Sequence, residues 1–355
     1  MKGKNDFIPA LLKEMERRRE YLAGETVATV YFGGGTPSLL ETDELDRIMR
    51  RLRAIFPLAP DAEITLEANP DDINTPARLA AWRSAGINRL SIGVQSFFEE
   101  DLRWMNRAHD ARQALDCLGM AQREGFDNLS IDLIYGGPTL PDSHWRQNVD
   151  RAIDLGVQHL SCYALTVEPR TALDTLVRRH QSQGVDPDDQ ARQFHLLMDW
   201  MAGAGYEHYE ISNFAIPGHR SRHNASYWQG KPYLGLGPSA HSFDGVSRQW
   251  NVANNAQYVA AIDDGQESFV AEKEVLTPVQ QLNEYIMISL RTIEGSSLSL
   301  IGRRFGEQRA EQLRQRAGRY IEDGKIGLFS DVLRLTTEGR LLADGIAADL
   351  FFEGQ

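Results

Sequence analysis

Residues 128–138 read NLSIDLIYGGP, and the fold is decided there. The stretch is rich in Ile and Leu and stops at two glycines and a proline, as a buried strand does when it ends in a tight loop. Asp132 is the anomaly, a carboxylate set inside an otherwise apolar strand. The same design recurs on either side: VATVYF at 27–32, AEITLE at 62–67, RLSIGVQ at 89–95, HLSCYALTV at 159–167 and YEHYEI at 206–211. Helical patterns fill the intervals at 39–56, 76–85, 99–125, 145–155 and 187–204. The second is marked by Thr75 as N-cap, Pro76 in the first turn and Gly86 at its stop. Strand and helix alternate at a spacing of roughly 25–40 residues, the signature of βαβ units around a parallel sheet.

The polar residues cluster where those strands end. VATVYF runs into Gly33-Gly34-Gly35-Thr36-Pro37, and the next strands close on Glu67 and Asn69, on Gln95 and Ser96, and on Thr166 and Glu168. Ligands of α/β folds bind at the carboxyl ends of strands, so the set reads as one site. Separate structural roles for Glu67 and Asp132 are the competing reading. Beyond residue 212 the pattern changes. The stretch 219–255 is rich in Gly, Asn, Ser and aromatics, and helical patterns return after about residue 270 (roughly, by periodicity). LFSDVLRLTTEGRLLADGIAADLF at 328–351 reads as a hairpin leading into a helix. Three units are expected: a partial barrel over 1–215, an irregular segment over 216–268 and a small helical domain over 269–355.

Composition bounds the function. Among 355 residues, 42% are hydrophobic and 25% charged, which excludes a disordered or collagen-like chain. The net charge of −12 and the lack of a basic cluster argue against nucleic acid as a partner. Cys117 and Cys162 are the only two cysteines and form no CxxC pattern. With no secretory leader and no long apolar run to read, a cytoplasmic protein is expected.

Three motifs could carry chemistry. GGGTP at 33–37 offers backbone N–H groups to an anionic group, but it is neither a P-loop nor GxGxxG, and a tight strand–helix turn explains it too. HNASYW at 223–228 could place the His223 imidazole on a metal or a flat macrocycle, with Asn224, Tyr227 and Trp228 in support. Packing of the same rings onto the barrel is the alternative. GLGPSAH at 235–241 adds His241, without zinc-site spacing.

In this order, GGGTPSLL, LEANP, RLSIGVQSF, IDLIYGGP, HNxxYW and GxGPSAH resemble the radical S-adenosylmethionine proteins of the oxygen-independent coproporphyrinogen III oxidase family. HNxxYW is the mark of that family's haem-chaperone branch. The resemblance spans nearly the whole chain. It implies an incomplete (β/α)6-type barrel, here without its first strand, followed by a small helical, winged-helix-like domain. Carried over by motif, Gly34, Gly35, Thr36, Glu67, Gln95, Arg107, Asp132 and Thr166 would bind S-adenosylmethionine. His223 would ligate haem iron, with Asn224, Tyr227 and Trp228 beside it and His241 as a second candidate. The family's CxxxCxxC loop, which holds a [4Fe–4S] cluster, has no counterpart here. A start placed downstream of that loop and a cluster-less variant both account for this. No radical chemistry is therefore expected from the chain as written.

The resemblance implies a haem-binding chaperone that serves client haemoproteins, membrane respiratory enzymes being candidate clients. The alternatives are coproporphyrinogen III decarboxylation and cluster-less binding of S-adenosylmethionine. A barrel without its first strand exposes an edge, from which a marginal or homodimeric protein is expected.

Overall fold

The computed structural model describes residues 4–169, 171–179, 183–265 and 268–354, so the outermost residues of the first and last expected units lie outside it. The first half lays down α1 (Lys4–Arg17), β1 (Val27–Phe32), α2 (Thr42–Ile55), β2 (Leu58–Ala68), α3 (Pro76–Ala85) and β3 (Arg89–Gln95). It continues through α4 (Glu99–Trp104), α5 (Ala111–Arg123), β4 (Leu129–Tyr135), α6 (Asp142–Asp154) and β5 (His159–Ala164). Then come α7 (Ala172–Arg178), α8 (Pro187–Gly203), β6 (Glu207–Glu210) and β7 (Asn213–Ala215).

β1 to β5 pair in sequence order, all parallel. Their pleat sorts the side chains. Leu66, Leu90, Ile92, Val94, Leu129, Ile131, Leu133 and Leu160 turn outward and are buried with Trp82, Leu118, Trp145 and Leu197 in one core. Each such side chain contributes about 1.5–3 kcal/mol on leaving water. The alternate residues, Glu63, Thr65 and Glu67 on β2 and Ser130 and Asp132 on β4, turn to the concave side. A sheet buried on both faces is usually apolar on both, so the polar concave face is where this one departs from pure packing.

The sheet differs from the expectation at its far side. The order there is β5-β7-β6, and β7 runs antiparallel to both neighbours. Only Ile211 and Ser212 separate β6 from β7, and so short a link permits a hairpin but no parallel crossover. β5 also stops at Ala164, short of the expected 167.

The segment expected to be irregular holds regular structure: α9 (Arg222–Trp228), β8 (His241–Phe243), β9 (Ser247–Asn251) and α10 (Asn255–Asp263). These elements are too short for periodicity to reveal. β10 (Val270–Val275), grouped by sequence with the C-terminal unit, instead pairs with β9. The C-terminal residues form α11 (Pro278–Leu290), β11 (Ser296–Ser297), α12 (Leu298–Phe305), α13 (Glu307–Glu322), β12 (Ile326–Phe329), β13 (Val332–Leu335), α14 (Thr337–Arg340) and α15 (Ala343–Asp349). A three-stranded sheet and helices there share a second core around Leu282, Ile286, Leu313 and Leu350.

Polar contacts join this unit to the barrel. The Ile211 N–H donates to the Arg291 carbonyl at 3.1 Å, and the Ile293 N–H to the Tyr209 carbonyl at 3.0 Å. His208 Nδ1 accepts from Arg340 at 2.8 Å while its Nε2 donates to the Ile211 carbonyl at 2.9 Å. Burial pushes the His208 pKa down to about 3, so the ring joins the two units as a neutral group.

Glu14 pins α1 to the later segment. It is fully buried and accepts from the Gly237 N–H (2.7 Å), Asn251 Nδ2 (2.7 Å) and the Tyr258 hydroxyl (2.5 Å). Truncation would leave three donors unpaired. Glu14→Ala is expected to lose roughly 2–5 kcal/mol of stability, measured by urea unfolding, with Glu14→Gln losing less.

Candidate functional site

At the carboxyl ends of β1 to β4 the structure gathers one polar cluster. Gly34 and Gly35 take φ of +73° and +66°, and nothing lies within 4 Å of where a Cβ would stand on either. Two consecutive left-handed residues with open space above them make a cradle of backbone N–H groups. The Gly34 N–H already donates to Glu67 Oε2 at 3.2 Å. Arg107, in the turn after α4, crosses the mouth and donates to Asn69 Oδ1 at 2.8 Å and to the Gly93 carbonyl at 3.2 Å. Its Nε is buried without a partner, and burial lowers its pKa. Gly93 makes this crossing possible: a Cβ there would come within 2.9 Å of Gln95 Nε2 and 3.3 Å of Arg107.

Gln95 ends β3 with φ at +65°, a conformation that costs a non-glycine residue about 1–3 kcal/mol. Asp132 feels Glu67, Arg89 and Arg107, and desolvation followed by the Glu67 charge pushes its pKa up to about 7. Glu67, Gln95, Arg107 and Asp132 thus stand together at the end of the sheet where the Gly34–Thr36 loop lies. Thr166 is exposed in the loop beyond β5. Ser96 is structural: it is fully buried and donates to Asp101 at 2.7 Å.

A second feature lies on the free side of β1. A cavity of about 1990 Å³ is walled by Leu11 and Met15 of α1, by the whole of β1, by the loop around Tyr233–Leu236, and by His223 and Tyr227 of α9. Pockets for drug-sized molecules run to about 1,000 Å³ at most, so this one has room for a large, flat, apolar ligand. The His223 imidazole is held from several sides. Nδ1 meets Thr29 Oγ1 at 2.9 Å, Nε2 meets the Tyr227 hydroxyl at 3.0 Å, and the ring stacks on Tyr31 at 4.7 Å and 14°. The buried Glu63 carboxylate accepts from the N–H groups of Arg222 (3.1 Å) and His223 (2.9 Å) and so fixes the first turn of α9. Burial pushes the His223 pKa down to about 4, which leaves a neutral ring able to ligate iron.

Helical geometry splits the HNASYW motif. His223 and Tyr227, four apart, share the face toward the cavity. Asn224 and Trp228 occupy the next face: Asn224 bonds the Tyr209 side chain, and the Arg291 guanidinium lies over the Trp228 ring at 5.1 Å. Neither lines the cavity. His241 does, and it is exposed with its ring 5.7 Å from that of Trp250. The glycines of GLGPSAH serve the backbone. A Cβ on Gly235 would collide with the His241 carbonyl, and the Gly237 N–H feeds Glu14.

Thr29, Tyr31, Glu63 and Gly93 escaped sequence reading. A signal existed: Thr29, Tyr31 and Gly33 alternate on one face of β1, and Glu63 and Glu67 on one face of β2.

The cysteines do not fit an iron–sulfur cluster. Cys117 is buried in α5 and Cys162 in β5, and burial pushes the Cys117 thiol up to about 12 and the Cys162 thiol higher still. Among the described residues no three His, Cys, Asp or Glu side chains stand where they could hold a metal ion.

A curled parallel sheet with a polar concave face and an open glycine loop at its carboxyl end defines the radical S-adenosylmethionine class. The family model described as the Radical SAM superfamily matches residues 4–152, and that of the HemN C-terminal domain matches residues 276–342. The solved structure of coproporphyrinogen III oxidase (HemN) from Escherichia coli superposes with a TM-score of 0.83 at 26% identity, over 98% of this chain and 83% of that one. The heme chaperone HemW of Mycobacterium tuberculosis is 39% identical over 97% of this chain and 86% of its own length. That of Bacillus subtilis is 30% identical over 96% and 90%. On these relatives the chain belongs to the HemW family.

Asp132 yields a prediction with a definite sign. Its folded pKa, about 7, lies above the ordinary 3.8, so its contribution to stability is fully present below 3.8 and is lost as pH rises through 7. Asp132→Asn is expected to be more stable than the parent at alkaline pH by about 1–3 kcal/mol. Urea unfolding across the range should show the advantage shrinking toward acid. A pH-independent difference would count against it.

Proposed function

We propose that this chain binds haem in the cavity beside β1, with His223 as the iron ligand, and hands it to apo-haemoproteins. One observation carries the reading: a neutral, tightly oriented imidazole faces a cavity of about 1990 Å³ whose wall joins apolar side chains of α1, α2 and β1 to a polar rim that includes Arg220, Arg222 and Lys231. Iron would offer a bonding site for the His223 imidazole, and the protein would supply the rest. Thr29 orients Nδ1, Glu63 fixes the helix turn, and Leu11, Met15 and the β1 side chains exclude water from the macrocycle faces. The Tyr227 hydroxyl on Nε2 belongs to a side chain 39% exposed, which leaves it room to swing away.

S-adenosylmethionine would sit at the barrel mouth. The open Gly34–Gly35 cradle and the unpartnered Arg107 Nε support this, with Thr36, Glu67, Gln95 and Asp132 around it. Such a ligand would supply an anionic carboxylate for the backbone N–H groups and a cationic end for Glu67 and Asp132. A [4Fe–4S] cluster finds no ligand set in the described residues, so no step is assigned to one.

Among the described residues no helix is long and apolar enough to cross a membrane. We place the protein in the cytoplasm, with haemoproteins, membrane respiratory enzymes among them, as clients. The free edge of β1 would also serve a homodimer. The likeness to the HemN oxidase keeps porphyrinogen decarboxylation as a second reading, which the named relatives favour less.

A haemin titration followed in the Soret band tests the proposal. The parent chain is expected to give a saturable band. His223→Ala should weaken binding by at least about tenfold, or 1.4 kcal/mol, while His241→Ala should change it little. Unchanged affinity in His223→Ala would sink the assignment.

A further inference from the structure

The two candidate sites adjoin along the Gly33–Thr36 loop, and one side chain bonds a residue of each. Tyr31 lies on the concave face of β1, two residues before the glycine loop. Its hydroxyl donates to Glu67 Oε1 at 2.6 Å, and its ring lies flat against the His223 imidazole. We propose that Tyr31 is a positioning residue that couples the barrel-mouth carboxylate Glu67 to the His223 ring, so that whatever engages Glu67 changes how the iron-binding nitrogen is presented. The proposal deepens the haem reading and rests on it for its functional meaning.

Rigidity makes the coupling direct. A phenol has no torsion between its ring and its oxygen that could move one heavy-atom position without the other. If the hydroxyl follows Glu67, the ring plane must turn with it, and the stack on His223 opens or slides. The imidazole cannot absorb this freely, because Thr29 holds Nδ1 and Glu63 holds the backbone N–H of the same residue.

The space is built for this pair. A Cβ on Gly33 would stand 2.5 Å from the Tyr31 ring and 3.0 Å from Glu67 Oε1, so no larger residue fits without pushing the two apart. The surroundings of the hydroxyl belong to the barrel site: Ser91 reaches it by hydrogen bond, and the Asp132 charge is felt there. Glu67 is also the group that an arriving ligand must disturb. Its second oxygen accepts from the Gly34 N–H, at the loop whose far side is open. A molecule whose anionic group takes that N–H, or whose cationic group takes the carboxylate, pulls on the same chain of contacts. Occupancy of the barrel mouth thereby reaches the haem ligand without any movement of the main chain.

The test uses the 355-residue chain and two readouts. Haemin is titrated in the Soret band into the parent, Glu67→Gln, Tyr31→Phe and the double variant. Tyr31→Phe keeps the stacked ring and removes only the hydroxyl. Glu67→Gln is expected to shift the haemin Kd by about threefold to tenfold in the parent, and by less than about twofold when Tyr31 is Phe. Equal shifts in both backgrounds, or none in either, overturn the coupling. The second readout needs no haem. In protein labelled with nitrogen-15, the ring-nitrogen shifts of His223 at neutral pH should move in Glu67→Gln and stay in place when the same change is made in Tyr31→Phe. Ring shifts that move equally in both backgrounds, or in neither, overturn it as well. A Tyr31-dependent ring shift with no His223-dependent Soret band would support the coupling and remove the haem assignment, so the two can fail separately. Melting curves close to the parent exclude unfolding as the cause.

Discussion

Pleating is the constraint on which the molecule rests. In five parallel strands every second side chain must turn to the concave side, and the rest must turn to the helices. The convex residues are Leu, Ile and Val almost throughout, and they bury Trp82 and Trp145 with them. That one-sided core is enough to hold the sheet, which frees the concave face to carry Glu63, Glu67, Arg89 and Asp132. Charges so placed cost desolvation. They persist because they meet one another and because Ser130, His159 and Tyr209 form a hydrogen-bonded line, at 2.6 and 2.7 Å, along the same face.

The strand ladder was legible because each strand is a short run rich in Ile, Leu and Val, and those of β1, β2 and β4 are closed by glycines or by Asn69-Pro70. Glu67, Gln95 and Asp132 were legible because a polar residue in such a run has no packing reason to be there, and the turn residue Arg107 came only through the family resemblance. The hairpin of β6 and β7 was not legible: two residues decide its direction, and YEHYEI alone carries no sign of its neighbour. The elements of 222–275 were hidden by brevity. Within HNASYW, residue types gave the right neighbourhood, but grouping Asn224 and Trp228 with His223 ignored the 100° that separates adjacent residues on a helix (roughly, from 3.6 residues per turn). Thr29 and Tyr31 were missed for a related reason. They are ordinary strand formers, and only the register of β1 on β2 brings them opposite Glu63 and Thr65.

The two sites differ in what they ask of the chain. The barrel mouth is assembled from the ends of four strands and a turn, so its geometry depends on the whole sheet. The cavity beside β1 is assembled from α1, α2, β1 with its glycine loop, α9, α10 and the loop around Tyr233–Leu236, and Glu14 is the buried group that ties α1 to the later segment. The cavity therefore draws on tertiary contacts that the parallel sheet does not itself supply, whereas the barrel mouth inherits its shape from the strands.

α9 has seven residues, fewer than two full turns, and it cannot bend within itself. One face carries His223 and Tyr227, and the other carries Asn224 and Trp228, clasped by Tyr209 and Arg291. The helix is therefore a short rigid piece held at its first turn by Glu63. A tilt that carries the imidazole toward or away from the cavity must also displace Trp228 against Arg291, whose carbonyl anchors Ile211 and whose guanidinium grips Glu210. One rigid turn of helix thus spans from the cavity wall at His223 to the seam between the barrel and the C-terminal unit at Trp228 and Arg291.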